Sequence, residues 1–565
     1  MTDQNSTAQQ AESPDSGSEQ RSILSSSAVM AAGTVVSRMS GFVRSALLVA
    51  AIGSALHAEL FTIAQTVPTM LYILLAGGIF NAVLVPQLVR AMKNDPDGGE
   101  AYTNRVVTLA GLFLLTVTVA LVVLAPWLMQ LFLSSNYSEP ELAAHQQSII
   151  DFARLVLPQV FFYGMFVLVG QILNARGVFG PMMWAPIANN VITVAVLSIY
   201  LLSFGAATES ETLAAYTEGQ ELLLGLGFTL GIVTQFLILV PYLKKAGFRY
   251  RPRFDFRDAG LGHTLKLGLW TVLFVIINQI SYTIVVRLAS EGPASSPEGT
   301  GYAVYSQTFL LTMVPHAIIT VSLATAILPR LSKYAADADP SGLGNALSGT
   351  LRSALALILP FAAVLPFLAE DIAHLQWGFG AGADGYHRFV PSLALFGPGL
   401  VFFTIHYLML RGFYSLERNR TAFWIQCVIA AVNITAALTY VRFASDEHNA
   451  PALVLAYATA YLVGCVVSYL LLRRTLGGLQ TPTLVRFAAR MVVAVGVATA
   501  AAAGTAWLLH TLQGDPPVVV AGLNAVLIGA VDGVVFLVMA KALGIREVTS
   551  VIDLIARRLP LRSRR

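Results

Sequence analysis

Long apolar runs recur along almost the whole chain, separated by short polar connections. A helix that crosses a bilayer needs about 20 mostly apolar residues. On that rule the pattern predicts helices over 28–52, 60–89, 106–132, 149–173, 182–204, 222–242, 264–288, 302–328, 351–369, 389–410, 422–441, 452–472, 490–509 and 518–543. The predicted fold class is an all-α polytopic membrane protein with 14 transmembrane helices.

The connections alternate in charge. One set is basic: Arg90, Lys93 and Arg105, then Arg176, then "KKAGFRYRPRFDFRD", then Arg330 and Lys333, Arg418 and Arg420, and Arg473, Arg474 and Arg486. The other set is acidic or neutral: "SSNYSEPELAAHQQ", "GAATESETLAAYTEGQE", "SEGPASSPEGTG", "SDEHNAP" and "QGDPP", with Arg388 and the helix-end Arg442 as exceptions. Cytoplasmic loops carry the excess of Lys and Arg, so the basic set and both termini are expected in the cytoplasm. An odd number of helices would destroy this regularity.

Composition removes whole classes of function. Of 565 residues, 56% are hydrophobic and 12% charged, too little polar surface for a soluble chain of that size. Cys427 and Cys465 lie in apolar runs and read as packing residues, not as a disulfide or zinc site. No connection is long enough to fold as a catalytic domain, and there is no phosphate-binding Gly-Lys loop, HExxH or His/Cys cluster. The expectation is a transporter and not an enzyme, with no cofactor, no metal and no nucleic-acid partner. Residues 1–24 are polar and read as a disordered cytoplasmic tail. Residues 546–565 form a basic tail, in which Val548, Val551, Ile552, Ile555 and Leu559 near helical spacing suggest a short interfacial helix.

The chain also repeats itself. "VFFYGMFVLVGQILNARGVFGPMMWAPIANNVI" in the fourth and fifth spans resembles "VFFTIHYLMLRGFYSLERNRTAFWIQCVIAAVNIT" in the tenth and eleventh. Gly170 falls on Gly412, Arg176 on Arg418 and Asn190 on Asn433. "AVLVPQLVRAMK" closes the second span much as "AILPRLSKYA" closes the eighth, and these spans carry internal prolines, Pro68 and Pro315. A six-helix unit is even-numbered, so both copies enter the membrane from the same side, about an axis along its normal. The expected plan is two pseudo-symmetric six-helix lobes, 25–245 and 246–475, with the substrate between them and Pro68 and Pro315 in paired gate helices.

The first span carries two arginines, Arg38 and Arg44. A charge near the centre of a transmembrane helix costs roughly 2.5–3.5 kcal/mol on insertion scales, so such residues face a cavity or a partner. They lie six residues apart and diverge by about 120° on an ideal helix. Gly41 between them is expected to allow a local break that turns both inward. Paired guanidinium groups in a cavity suit an anion, above all a phosphate, through forked hydrogen bonds. His316, beside Pro315, and His406 read first as hydrogen-bonded packing residues, with proton coupling as the sharper alternative. Asn174, Asn189, Asn190, Asn278 and Gln279 read as interhelical hydrogen-bond partners.

"GTVVSRMSGFVRSALLVAAIGS", "AELFTIAQTVP", "GGIFNAVLVPQL", "ILPRLSK" and "RGFYSLERNRTAF" together resemble the MurJ/MviN-type lipid II flippases of the multidrug/oligosaccharidyl-lipid/polysaccharide exporter superfamily. The resemblance implies two lobes around a central cavity, two further helices within 476–545 that form a groove for the lipid tail, and a bacterial plasma-membrane location. It implies an undecaprenyl-pyrophosphate-linked peptidoglycan precursor as substrate, carried to the outer leaflet by alternating access. By position, Arg38 and Arg44 match the family's helix-1 arginines, Glu59 an acidic residue early in helix 2, and Arg154 a basic position in helix 4. Charges the family often carries after the helix-2 proline and before the helix-8 proline are missing from "TMLYI" and "FLLTMVP". Arg287 is therefore considered as a substitute in substrate binding. A coupling cation or the membrane potential would drive the cycle, and cell-wall or division proteins are conceivable partners. The alternatives are a flippase for another polyprenyl-pyrophosphate glycolipid, a multidrug antiporter needing acids in the spans, and a membrane scaffold.

Overall fold

A computed structural model describes Gly33 and residues 36–75, 85–255, 261–514 and 516–549. The tail over 1–24, most of the C-terminal tail, the start of the first span and residues 76–84 of the second lie outside the described residues. The described chain is all-helical, and twelve of its helices are long and apolar enough to cross a membrane.

The first helix, α1, runs over 36–52. The described part of the second predicted span comprises α2 (Leu56–Ala64) and α3 (Thr66–Ile73), which part at Gln65, and, after residues 76–84, α4 (Val85–Asn94). Pro68 sits in the first turn of α3, where its missing N–H leaves no intrahelical bond unmade. The third span divides at Leu124 into α5 (Glu100–Val123) and α6 (Ala125–Phe132), and the fourth at Pro158 into α7 (Ala143–Val156) and α8 (Gln159–Ala175). Then follow α9 (Gly180–Phe204), α10 (Glu218–Lys245) and α11 (Leu261–Ala289). The eighth span is α12 (Tyr302–Pro315), a π-helical turn over His316–Thr320, and α13 (Val321–Ala336). The remaining helices are α14 (Pro340–Trp377), α15 (Val390–Ser415), α16 (Asn419–Phe443), α17 (Asn449–Leu476), α18 (Thr481–Gln513) and α19 (Val518–Ala542).

Several helices outrun the hydropathy prediction, α14 by the most. The apolar stretch 351–369 is the middle of α14, whose 38 residues rise about 57 Å. Asp339 fixes its start by accepting a hydrogen bond from Gly342 N at 2.8 Å. Likewise α10 begins four residues earlier than its apolar core, where Thr217 and Gln220 form a capping box. Its first turn carries Glu218 and Glu221 and its last Lys244 and Lys245, which matches the helix dipole.

Helix pairing follows the repeat. α10 packs on α8 and α9, as α17 packs on α15 and α16. Asn190 on α9 donates to Ser37 O and Ser40 Oγ of α1 (3.0 and 2.8 Å), and the matching Asn433 on α16 donates to Ser281 Oγ of α11 (3.2 Å). Gln279 donates to Met70 O and Gln426 to Asn278 Oδ1, as expected of interhelical amides. α18 and α19 pack on each other and on α14. Leu202, Phe443 and Val492 are each more than 70% exposed, as befits a surface facing lipid tails.

The bundle has two unlike ends. One carries the acidic loops before α7, α10, α12 and α17; the other carries the basic connections. At the acidic-loop end a single apolar core takes in residues from both halves, from Leu48 to Tyr457. Towards the basic-loop end the core divides in two. One cluster holds residues between Leu75 and Phe248, the other residues between Ala324 and Leu479. The connection after α10 stays with the first half, where Arg105 grips Asp255 at 2.6 Å and holds that carboxyl below the usual carboxylate range.

Candidate substrate cavity

Hydrogen bonds between the halves lie from mid-depth to the acidic-loop end. Ser45 Oγ donates to Gln307 Oε1 (2.6 Å), Gln376 Nε2 to Phe42 O (3.0 Å) and Gln279 Nε2 to Met70 O (2.7 Å). At the loops, Ser134 N donates to Ser290 Oγ (2.8 Å) and Asn136 Nδ2 to Ser295 Oγ (2.8 Å). Glu59 accepts from the backbone N–H groups of Tyr302 and Ala303, both at 2.8 Å. Below these contacts the halves part around a cavity of about 470 Å³.

α1 forms one wall with Ser37, Arg38, Gly41, Phe42, Arg44, Ser45 and Leu48. Tyr72, Phe166, Met182, Met183 and Pro186 complete the side of the first half; Gln307, Leu310, Leu311, Val314, Gln376 and Trp377 come from α12 and α14. Both arginines therefore line one cavity, but not through a break at Gly41: α1 is continuous over 36–52. The cavity instead wraps around a broad face of the helix. A Cβ at Gly41 would meet Asn190 Nδ2 at 3.9 Å, an ordinary contact, so packing does not demand glycine there.

Arg38 is exposed and Arg44 half-buried, and neither has a hydrogen-bond or ion-pair partner among the described residues. Arg44 lies within electrostatic reach of the Tyr163 hydroxyl, whose ring packs on Tyr72 at 4.9 Å. Among the described residues the lining contains no carboxylate. Two fixed cations without counter-ions in a largely apolar chamber will attract an anion, and guanidinium groups favour phosphate oxygens.

The other expected site residues lie elsewhere. Glu59 is 0% exposed and caps α12; a Cβ on Gly301 would come 2.7 Å from its Oε2, which accounts for glycine there. Arg154 is paired with Asp151 at 3.0 Å on the surface of α7. Arg287 donates to Gln130 O at 2.6 Å and ties α11 to α6. Pro68 follows the break at Gln65, and Pro315 precedes the π-turn. His316 is buried, with Nδ1 2.9 Å from Thr404 Oγ1, and His406 Nδ1 is 3.3 Å from Ser468 Oγ. Gln307, Gln376, Trp377 and Tyr72 were not singled out by the sequence. Single uncharged residues in apolar helices give no signal until the fold brings them to one wall.

A bundle of membrane-spanning helices around a chamber lined by two arginines defines the class of membrane transporters. The particular family follows from comparison with known proteins. The chain belongs to the lipid II flippase MurJ family, whose model matches residues 48–521. A probable lipid II flippase MurJ of Rhizobium meliloti is 25% identical over 538 residues, covering 93% of this chain and 94% of its own. The lipid II flippase MurJ of Burkholderia cenocepacia is 25% identical over 415 residues, covering 72% and 76%. Among solved structures, lipid II flippase MurJ in an inward closed conformation superposes with a TM-score of 0.69 at 16% identity, over 91% of this chain and 98% of that one. An inward-facing multidrug resistance MATE family transporter of the MOP superfamily gives 0.60 at 16% identity, over 79% and 96%.

Proposed function

We propose that this protein is a lipid II flippase. It moves the undecaprenyl-pyrophosphate-linked peptidoglycan precursor from the cytoplasmic to the outer leaflet of the bacterial plasma membrane by alternating access. No bond is made or broken, so it is a transporter and not an enzyme. The observation that carries the reading is the pairing of Arg38 and Arg44 in one acid-free cavity, between halves whose cores join at one end and separate at the other.

The positive-inside rule assigns the basic-loop end to the cytoplasm, together with both termini. On that orientation the arrangement opens inward. Arg38 and Arg44 hold the pyrophosphate, while the polyprenyl chain remains in lipid. The fourteen-span count rests on the twelve helices of the described residues plus α1 and the broken second span. The lobes are 25–245 and 246–475, and α18 and α19 within 476–545 supply the lipid-tail groove. Outward movement of negative charge is favoured by an inside-negative potential at about 2.3 kcal/mol per charge per 100 mV. A cationic drug would need acids where the cavity has arginines, which argues against the antiporter alternative. The basic connections, including the sequence 244–258, carry the charge to dock acidic cell-wall or division proteins.

The test is reconstitution in liposomes with labelled lipid II and, separately, a non-peptidoglycan polyprenyl-pyrophosphate glycolipid. Transport of lipid II and not of the glycolipid is expected. Equal transport of both would overturn the substrate assignment.

A further inference from the structure

We propose that α13, α14 and the segment after α19 form a binding site for the phosphate headgroup of an anionic phospholipid, in the leaflet at the basic-loop end. The site shares no lining residue with the Arg38–Arg44 cavity, so the proposal does not depend on what that cavity carries.

A cavity of about 760 Å³ opens where these three elements meet. Its charged lining is Arg330 of α13, Arg352 of α14, and Arg546 and Glu547 beyond α19: three cations against one anion. The segment that supplies the last two is packed in place, with Ile545 and Val548 buried and Val548 N–H donating to Ile545 O. Arg352 pairs with Glu547 through Nη1, and its Nε is buried with no hydrogen-bond partner among the described residues. Arg330 lies over the ring of Tyr334, 5.5 Å from its centroid, and donates to Tyr334 Oη from Nη2 at 3.0 Å. Asn345 accepts Gln480 Nε2 at its Oδ1 (2.7 Å), which leaves its own amide N–H groups as further donors at the cavity. Asp339, beside the cavity, is committed to the α14 cap, where it accepts from Gly342 N and Ser341 Oγ.

Basic connections alone are what orientation in a membrane demands, and each would be solvated separately. Here arginines of two helices and of a third element converge on one cavity. Guanidinium groups favour phosphate oxygens, and basic pockets between transmembrane helices take lipid headgroups. The uncharged part of the wall selects a lipid over a soluble anion. Leu323 and Ile327 line the same cavity and precede Arg330 on α13, about 10.5 and 4.5 Å deeper at 1.5 Å per residue. The wall thus passes from apolar to basic along α13, as a phospholipid passes from acyl chain to phosphate. A phosphate held there would tie the segment after α19 to α13 and α14. Arg352 is 24 residues from Gln376 of the substrate cavity, about 36 Å along α14. The two sites therefore lie at opposite ends of one helix.

The test is titration of the purified full chain, in neutral detergent, with fluorescently tailed phosphatidylglycerol, with phosphatidylcholine of the same tails, and with inorganic phosphate. The wild type should bind phosphatidylglycerol roughly tenfold more tightly than phosphatidylcholine, and less so as salt is raised. Arg330→Gln and Arg352→Gln should each weaken that binding about fivefold, the loss of one basic contact at a membrane surface. Glu547→Gln frees Arg352 and removes the one acid, so it should strengthen binding; a pair that only holds the fold predicts weaker binding instead. A Cβ at Gly349, in the cavity lining, would meet nothing within 4 Å. Gly349→Phe therefore fills the cavity with every charge kept, and should abolish saturable binding. Unchanged affinity in both Arg330→Gln and Gly349→Phe, or equal binding of the two lipids, would overturn the proposal. Displacement of phosphatidylglycerol by inorganic phosphate at equal concentration would make this a soluble-anion site and overturn the lipid assignment. Failure of the wild type to move lipid II would strike the flippase reading and leave these affinities standing.

Discussion

The carboxylate of Glu59 caps the helix that begins at Tyr302. Its oxygens accept the backbone N–H groups of Tyr302 and Ala303 at 2.8 Å each, across the boundary between the two halves. A helix N-terminus has N–H groups with no internal partner and a partial positive charge, so a buried carboxylate satisfies both needs. Separation of the halves at the acidic-loop end would break the contact.

Loss of that cap should therefore open the acidic-loop end. Glu59→Ala leaves two buried N–H groups unpaired, at about 1–3 kcal/mol each. Glu59→Gln keeps one acceptor oxygen and should have the smaller effect. A single cysteine at Ser54, buried against Gly385 O in this arrangement, reports the change. Its labelling by an impermeant thiol reagent should rise in the order wild type, Gln, Ala. Equal labelling in all three would show that Glu59 does not hold the gate.

Arg38 and Arg44 should both be needed for transport. Because Arg44 lines the cavity, snorkelling to the interface does not account for it, and Arg44→Ala should be nearly as damaging as Arg38→Ala. Losing a hydrogen bond to a charged group costs about 1.5–3 kcal/mol, or roughly 10- to 100-fold in binding. Arg38→Lys keeps charge and loses the fork, so it should stay impaired. Complementation under depletion of the native flippase, with membrane abundance checked by blot, measures this. Full function of Arg38→Ala at normal abundance would remove helix 1 from the headgroup site.

Much of this was legible in the sequence because lipid imposes simple rules. Apolar length located the spans, and the two arginines stood out since charge in a span is expensive. Their shared cavity could not be read, because a 120° divergence on one helix says nothing about how far a chamber wraps around it. Glu59 had the right charge and depth for a ligand, yet its partners are backbone N–H groups 243 and 244 positions away. Arg287 misled for a similar reason: its acceptor, Gln130 O, is a backbone atom with no side-chain signature. The extra length of α14 was hidden because its ends are held by a cap and by tertiary contacts, which hydropathy does not measure.

Both termini should be cytoplasmic. The alternation of basic and acidic connections motivates this. Cysteines at Ser18 and Ser563, after Cys427 and Cys465 are replaced, should resist an impermeant thiol reagent in intact cells and react after permeabilisation. Labelling of one terminus alone would mean an odd number of spans.

Pro68 and Pro315 should control rate more than affinity. Each sits at a discontinuity: Pro68 just after the break at Gln65, and Pro315 just before the π-turn His316–Thr320. Proline has no N–H to bond the preceding turn and its ring crowds the carbonyl there, so these points bend at low cost. They lie about one turn from equivalent places in the second and eighth spans. Between them those spans carry the Glu59 cap and the cavity wall from Gln307 to Val314. An alanine at 315 restores a backbone bond, and an alanine at 68 removes the ring that crowds the preceding turn, so each straightens the helix at the point where the halves must rock. Pro68→Ala and Pro315→Ala should thus slow lipid II movement in liposomes several-fold, while substrate binding to the detergent-solubilised protein is unchanged. Normal transport by both variants would reduce the prolines to tolerated kinks, and weakened binding would place them in the substrate site.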